Sequence, residues 1–328
     1  MKFFIVVLCC CFFCFEGISQ QLYSKKEPFA HTYSIVARDT VTGEMGVAVQ
    51  SHWFSVGSLV TWGKAGIGVV ATQSFINPSF GPRGLALLEN GLTPELAVHT
   101  LLELDEGREV RQLAILDVYG NVAAFTGENC IEEAGHIVGD NFSVQANLMY
   151  KKTVWPSMAK AFENATGSLA ERMLIAMEAA QNEGGDIRGK QSAAILVVKA
   201  KSTGNSWEDK VVDLRVEDHI NPIKEMRRLL TIHSAYEYMN KGDVAVETGN
   251  NKLAKENYMY AQKLNPDNLE MKYWYAITLA NNGEMEEAKI ILKEVFLKNN
   301  NWKELTPRLV KPGLLVISAK QLEEILKL

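Results

Sequence analysis

The strongest constraint on this chain is the kind of strand it contains. SIVA at 34–37, GVAV at 46–49, GVVA at 68–71 and AAILVV at 193–198 are almost unbroken apolar runs. A strand with one wet face alternates apolar with polar, whereas runs like these bury both faces. Between them the helical patterns come in pairs. One helix is expected over about 82–90, and Thr93 caps a second with Pro94 at its first position. A third covers about 154–165, and the fourth starts at Ser168 with a Ser168–Glu171 capping box and stops at Gly184-Gly185. Two sheets packed face to face, each with a helix pair outside, cover every strand face. Residues 32–220 are therefore expected to form an α+β domain, a four-layer αββα sandwich. A single doubly wound sheet would need helices alternating singly with strands.

The first hairpin is expected over Thr32–Ser51, joined by Thr40-Val41-Thr42-Gly43. Further strands are read at Ser58–Trp62, Ile67–Ser74, Gln112–Val118, Asn121–Thr126, Phe142–Met149, Ser192–Lys199 and Val211–Glu217. From about Ile223 the pattern is almost wholly helical. Gly249, Ala254, Tyr258 and Ala261 recur 34 residues later as Gly283, Ala288, Leu292 and Val295, and Pro266 ends the first unit. That period and those small residues resemble tetratricopeptide repeats, so 221–328 is expected as an all-α helical segment able to dock a protein partner. Tyr236, Tyr260, Tyr273 and Trp274 are candidates to line its concave face or fill its core.

Residues 3–15 form the long apolar run, preceded by Lys2 and followed by Gly17-Ile18-Ser19. This reads as a signal peptide over 1–19, hence an exported, periplasmic or secreted protein, with 20–31 as a tether. Four of the five cysteines fall in the signal, which leaves Cys130 without an internal disulfide partner. The net charge of −5 gives no reason to expect nucleic acid. The sequence shows no phosphate-binding loop, no dinucleotide glycine fingerprint and no paired-histidine zinc motif, so neither cofactor nor metal is indicated.

The residues that suggest chemistry sit at strand ends. Thr32 heads a buried strand, where a hydroxyl activated by a free α-amine serves as a nucleophile in one class of amide hydrolase. As an alternative it is an ordinary β-branched residue opening a strand. Lys64, beside Gly63 and Gly66, offers an ammonium that would favour the deprotonated nucleophile, or else it is a lysine in a surface turn. Gln145 and Asn147 share one strand face, and Asn147 is a candidate oxyanion donor. Asp186 and Arg188, in GGDIRGKQS, are candidates to orient substrate, or a pair that stiffens a glycine-rich loop. Cys130 with His136 is a weaker nucleophile–base candidate.

TYSIVARD, VTGEMGVAV, VATQSFINPSFGPRGLALL, FSVQANLM and GGDIRGKQSAAILVV, in this order, resemble the domain of unknown function 1028 family, placed among the N-terminal-nucleophile hydrolases. The resemblance covers about residues 32–230 and agrees with the αββα expectation. It implies amide-bond hydrolysis by an exposed N-terminal residue, with Thr32 at the matching position. A cut between His31 and Thr32 would have to follow removal of the signal. One reading is thus an exported amidohydrolase acting on a small amide or peptide, with Thr32, Lys64 and Asn147 catalytic and Asp186 and Arg188 binding substrate. The other is a catalytically silent scaffold whose helical repeats bind a partner. A homodimer is compatible with both.

Overall fold

A computed structural model describes residues 29–328 of the chain, with side chains from His31. The expected signal peptide and the first part of the tether lie outside the described residues. Eleven strands are described: β1 (Phe29–Ala30), β2 (Thr32–Arg38), β3 (Met45–Ser51), β4 (Thr61–Lys64), β5 (Gly68–Phe75), β6 (Arg111–Asp117), β7 (Val122–Thr126), β8 (Gly135–Gly139), β9 (Phe142–Ala146), β10 (Ser192–Val198) and β11 (Lys210–Val216). Helices α1 (Phe80–Glu89) and α2 (Pro94–Glu103) follow β5, and α3 (Val154–Asn164) and α4 (Leu169–Asn182) follow β9.

The strands make two antiparallel sheets. One has the order β11-β10-β3-β2-β9-β8, which places β2 in its interior. In the other, β5 pairs β6, β6 pairs β7, and the second edge of β5 is shared by two short strands. There β4 covers Gly68 to Ala71, while β1 covers Ser74 and Phe75.

Three apolar cores separate four layers. Tyr33, Ile35 and Ala37 of β2 pack with Met158, Phe162, Met173 and Met177 of α3 and α4. Val36 of the same strand faces the other way, into a core with Val47, Val49, Val69, Ala71 and Leu116 between the sheets. Val70, Leu113 and Ile115 pack under Phe80, Leu85 and Leu101 of α1 and α2. Both faces of β2, β5 and β6 are covered, which explains their unbroken apolar sequence. The fold is α+β, with an αββα sandwich followed by an all-helical segment.

The capping residues act as expected. The Thr93 side chain accepts from the Leu96 N–H, and Ser168 and Glu171 form a reciprocal capping box. Some boundaries differ. Val56–Ser58 is a 3-10 turn, so the strand expected from Ser58 begins at Thr61 and runs to Lys64. Residues 29–31, read as the end of a tether, instead dock: two of them add a strand to β5, and His31 is buried.

The helical segment comprises α5 (Pro222–Glu247), α6 (Asn251–Leu264), α7 (Leu269–Asn281), α8 (Met285–Lys298), α9 (Asn301–Leu305) and α10 (Ala319–Leu326). Ala254, Tyr258 and Ala261 on α6, and Ala288, Leu292 and Val295 on α8, are all buried in one core. Gly242 of α5 lies so close to the Tyr258 ring that an added Cβ would sit 2.7 Å from it, so the glycine lets the two helices approach. The 26-residue α5 joins the two parts of the chain. Ile223, Met226 and Leu230 pack on the sandwich, while Ala235, Met239 and Ala245 belong to the helical core. The transition expected near residue 220 therefore lies within a continuous helix. Of the four aromatics singled out from sequence, Tyr273 is fully buried, Tyr236 and Trp274 line a cavity, and Tyr260 is exposed, stacking on Tyr238.

Candidate active site

One end of the space between the sheets is polar. The strands that supply apolar side chains to this layer change character toward that end: Val36 gives way to Ser34 and Thr32, Ala71 to Gln73, Ala114 to Gln112, and Val49 to Ser51. Ser143, Gln145 and Asn147 line it from β9 and just beyond. All eight polar residues are buried. A buried polar group is costly unless satisfied, and five of these satisfy one another in a directed chain. Ser143 Oγ donates to Gln145 Oε1 (3.1 Å), Gln145 Nε2 to Ser34 Oγ (2.6 Å), Ser34 Oγ to Gln73 Oε1 (2.5 Å), and Gln73 Nε2 to Gln112 Oε1 (2.6 Å).

The His31–Thr32 peptide unit lies at the head of this network, with the carbonyl on either side held. The Thr32 carbonyl accepts from the Asn147 N–H (3.1 Å) and from Gln73 Nε2 (3.2 Å). The His31 carbonyl accepts from Ser51 Oγ (2.6 Å) and from the Arg188 guanidinium Nη2 (2.9 Å). Two convergent donors on a carbonyl, one of them charged, are the arrangement that stabilises an oxyanion. Arg188 is held in turn by Asp186, whose carboxylate accepts from Arg188 Nη2 at 2.7 Å and Nε at 3.1 Å and from the His52 N–H at 3.1 Å. The loop reaches this place because Gly184, Gly185 and Gly189 all adopt positive φ, which glycine does without strain.

Thr32, Asn147, Asp186 and Arg188 thus come together, but two roles differ from the sequence expectation. The Asn147 amide nitrogen points toward Gln112 Oε1 (2.9 Å) and the Thr32 carbonyl (3.5 Å), and the donors on the preceding carbonyl are Ser51 and Arg188. Lys64 lies elsewhere. It pairs with Gly68 of β5, whereas Ala30 pairs with Ser74 of the same strand. Six residues along a strand span about 20 Å at ~3.3 Å each. Half-exposed there, Lys64 forms an ion pair with Glu89 at 2.6 Å. Lys64→Ala should therefore leave any activity at Thr32 within about twofold and shift stability by no more than about 1 kcal/mol. Enzyme assay and thermal melting would check this.

Cys130 is buried and donates to the Arg111 carbonyl, and burial raises its thiol pKa. His136 bonds Thr126 Oγ1 instead, so the structure forms no Cys130–His136 pair. Among the described residues no three histidine, cysteine or acidic side chains gather as a metal site.

His31, which the sequence reading passed over, is central. Its ring lies edge-on to Phe75 at 5.9 Å between centroids, and Nδ1 is 2.8 Å from Asn147 Oδ1. Because Asn147 Nδ2 donates to Gln112, Oδ1 is the acceptor and His31 Nδ1 carries the proton. Burial lowers the His31 pKa below its ordinary 6.5, which the bond to Asn147 opposes and the Arg188 charge reinforces. The folded chain thus keeps this imidazole neutral where the unfolded chain takes up a proton. Its contribution to stability is unchanged above pH 6.5 and falls as pH drops from there toward the lowered value. In a chain that keeps His31 joined to Thr32, melting temperature should therefore fall on acidification below about pH 6.5, and less steeply with His31→Asn, as a pH series of thermal melts would show.

Residues 32–226 match the sequence model of a family of unknown function, DUF1028. The chain belongs to this family. A solved structure of the DUF1028 family, protein SPO2555 from Silicibacter pomeroyi, is 32% identical, with a TM-score of 0.57 over 66% of this chain and 89% of that one. No curated protein matches the chain. The family match begins at Thr32, the residue whose preceding carbonyl is held by Ser51 and Arg188, and ends within α5, inside the turns that pack on the sandwich.

Proposed function

We propose that the chain is the precursor of an exported N-terminal-nucleophile amidohydrolase that releases its own Thr32 and then cleaves an amide or peptide bond. The observation that carries this reading is the His31 carbonyl, held by Ser51 and Arg188 on the bond that precedes a buried threonine. The Thr32 hydroxyl adds to the His31 carbonyl carbon and closes a five-membered ring with the intervening amide nitrogen. Negative charge on the carbonyl oxygen is met by the guanidinium and the Ser51 hydroxyl. The carbon–nitrogen bond breaks, the nitrogen takes the hydroxyl proton, and an ester remains on Thr32 with its α-amine now free. Water hydrolyses the ester, giving a leader that ends in a His31 carboxylate and a chain that begins at Thr32. That amine, with an ordinary pKa near about 8, then serves as the base for the same hydroxyl. Arg188, rather than Lys64, supplies the nearby positive charge.

The helical segment is read as a tetratricopeptide-like partner module. A cavity of about 440 Å³ lined by Tyr236, Tyr258, Trp274, Asp243, Glu247 and Glu270, among others, supports that role. The test of the hydrolase reading is an assay of the purified chain, from residue 20 onward, against a panel of peptide amides, beside Thr32→Ala. Turnover in the wild type alone is expected. Equal turnover in both, or in neither, would leave the partner-binding role by itself.

A further inference from the structure

The leader residues do more than block the site. Resting on the self-cleavage reading, we infer that Phe29–His31 occupies the acyl side of the substrate site, so the substrate class is an extended peptide with a hydrogen-bond-donating side chain, histidine foremost, immediately before the cleaved bond. Chemistry ties the two positions together. The ester that self-cleavage would form on Thr32 is an acyl-enzyme, with His31 as its acyl group. A substrate forms the same kind of ester on the same hydroxyl. Its acyl residue must then sit where His31 sits, and the residues before it where Ala30 and Phe29 sit.

Three features of that place define what it takes. First, it is a strand edge that release of the leader would vacate. β4 pairs with β5 only as far as Ala71, and β1 takes up the same edge at Ser74 and Phe75. An extended backbone adds there by strand pairing, with affinity supplied by main-chain bonds whatever the side chains. Second, the pocket for the acyl side chain presents an acceptor of fixed orientation. Asn147 Oδ1 faces the His31 ring because Asn147 Nδ2 is engaged by Gln112 Oε1 at 2.9 Å. Gln112 cannot turn its amide round, since its Nε2 donates to the Ala146 carbonyl (2.9 Å) and to Thr126 Oγ1 (2.8 Å). A side chain with an N–H satisfies this acceptor, an apolar one leaves it unpaired in a dry site, and a carboxylate opposes it. Third, the Phe75 ring, perpendicular to that of His31, closes one side of the pocket.

Specificity is tested with the coumarylamides of acetyl-Phe-Ala-X, X being histidine, phenylalanine or aspartate, on the purified self-cleaved chain. The histidine substrate should exceed phenylalanine in kcat/KM by at least about tenfold and aspartate by about 100-fold. The product acid acetyl-Phe-Ala-His should bind the same protein more tightly than its aspartate counterpart by calorimetry, a readout independent of turnover. Equal rates for the three amides, with turnover present, would overturn this assignment and leave the hydrolase standing. So would cleavage of other amides with none of these three. If no chain beginning at Thr32 is formed and no amide is cleaved, the hydrolase reading itself fails and the specificity falls with it.

Discussion

Thr32→Ala should leave the chain joined across His31–Thr32 and reduce amide hydrolysis by at least ~10³-fold, in line with the loss of a nucleophile elsewhere. Thr32→Ser should do both jobs more slowly, because it keeps a hydroxyl on the same carbon. The alanine chain should still fold. Position 32 lies in β2 between β3 and β9, where its backbone carbonyl, not its side chain, receives the bonds from Asn147 and Gln73. Mass spectrometry of the alanine and serine chains, with circular dichroism and a melt on each, separates loss of chemistry from loss of fold. A Thr32→Ala chain that still starts at residue 32 would assign the cut to another agent.

Arg188→Leu should slow the appearance of the Thr32 terminus by about 10²- to 10³-fold, the usual cost of one oxyanion donor. It should also destabilise the fold by about 3 kcal/mol, since it strands a carboxylate in the interior. The Asp186 side chain is fully buried and Arg188 is its charged partner. Asp186→Asn combined with Arg188→Leu removes both charges and should recover much of the stability while the rate stays low. Arg188→Lys keeps a charge but loses the planar fork that reaches the carboxylate and the His31 carbonyl together. It should fall between the two. If the double variant regained the rate along with the stability, the guanidinium would be only a prop for the loop. Time courses of cleavage and urea melts on the four chains provide both readouts.

The layers were legible in the sequence because covering both faces of a strand leaves a local trace. Ile35 and Val36 had to be apolar together once one faced α3 and α4 and the other faced the second sheet. Helix ends were legible for the same reason, as Thr93 and Ser168 act within a few residues of themselves. β1 was not legible: it is two residues long, and what makes it a strand is an edge on β5 more than forty residues away. β8, GHIVG, was hidden by its terminal glycines.

Half of the site was legible. Asp186 and Arg188 announced themselves in a glycine-rich loop, and Asn147 by its position on a strand face. Gln73, Gln112 and Ser51 are polar residues at the ends of apolar strands, each unremarkable alone. Their meaning comes from register, which sets Gln73 against Gln112 and Thr32 against Ser51. The shared signal was that several strands turn polar at one end on alternate residues, visible only when they are aligned. Lys64 was the reverse case. Its ammonium, beside Gly63 and Gly66, made it a candidate partner for the Thr32 nucleophile, yet β4 runs beside the far end of β5.

The most direct measurement is the N-terminus of the folded wild-type chain, produced from residue 20 onward and followed by intact mass over time without added protease. Self-cleavage predicts a chain that begins at Thr32 and a separate twelve-residue fragment, from Gln20 to His31, accumulating at a rate independent of protein concentration. A folded wild-type chain that remains joined across His31–Thr32 would contradict it.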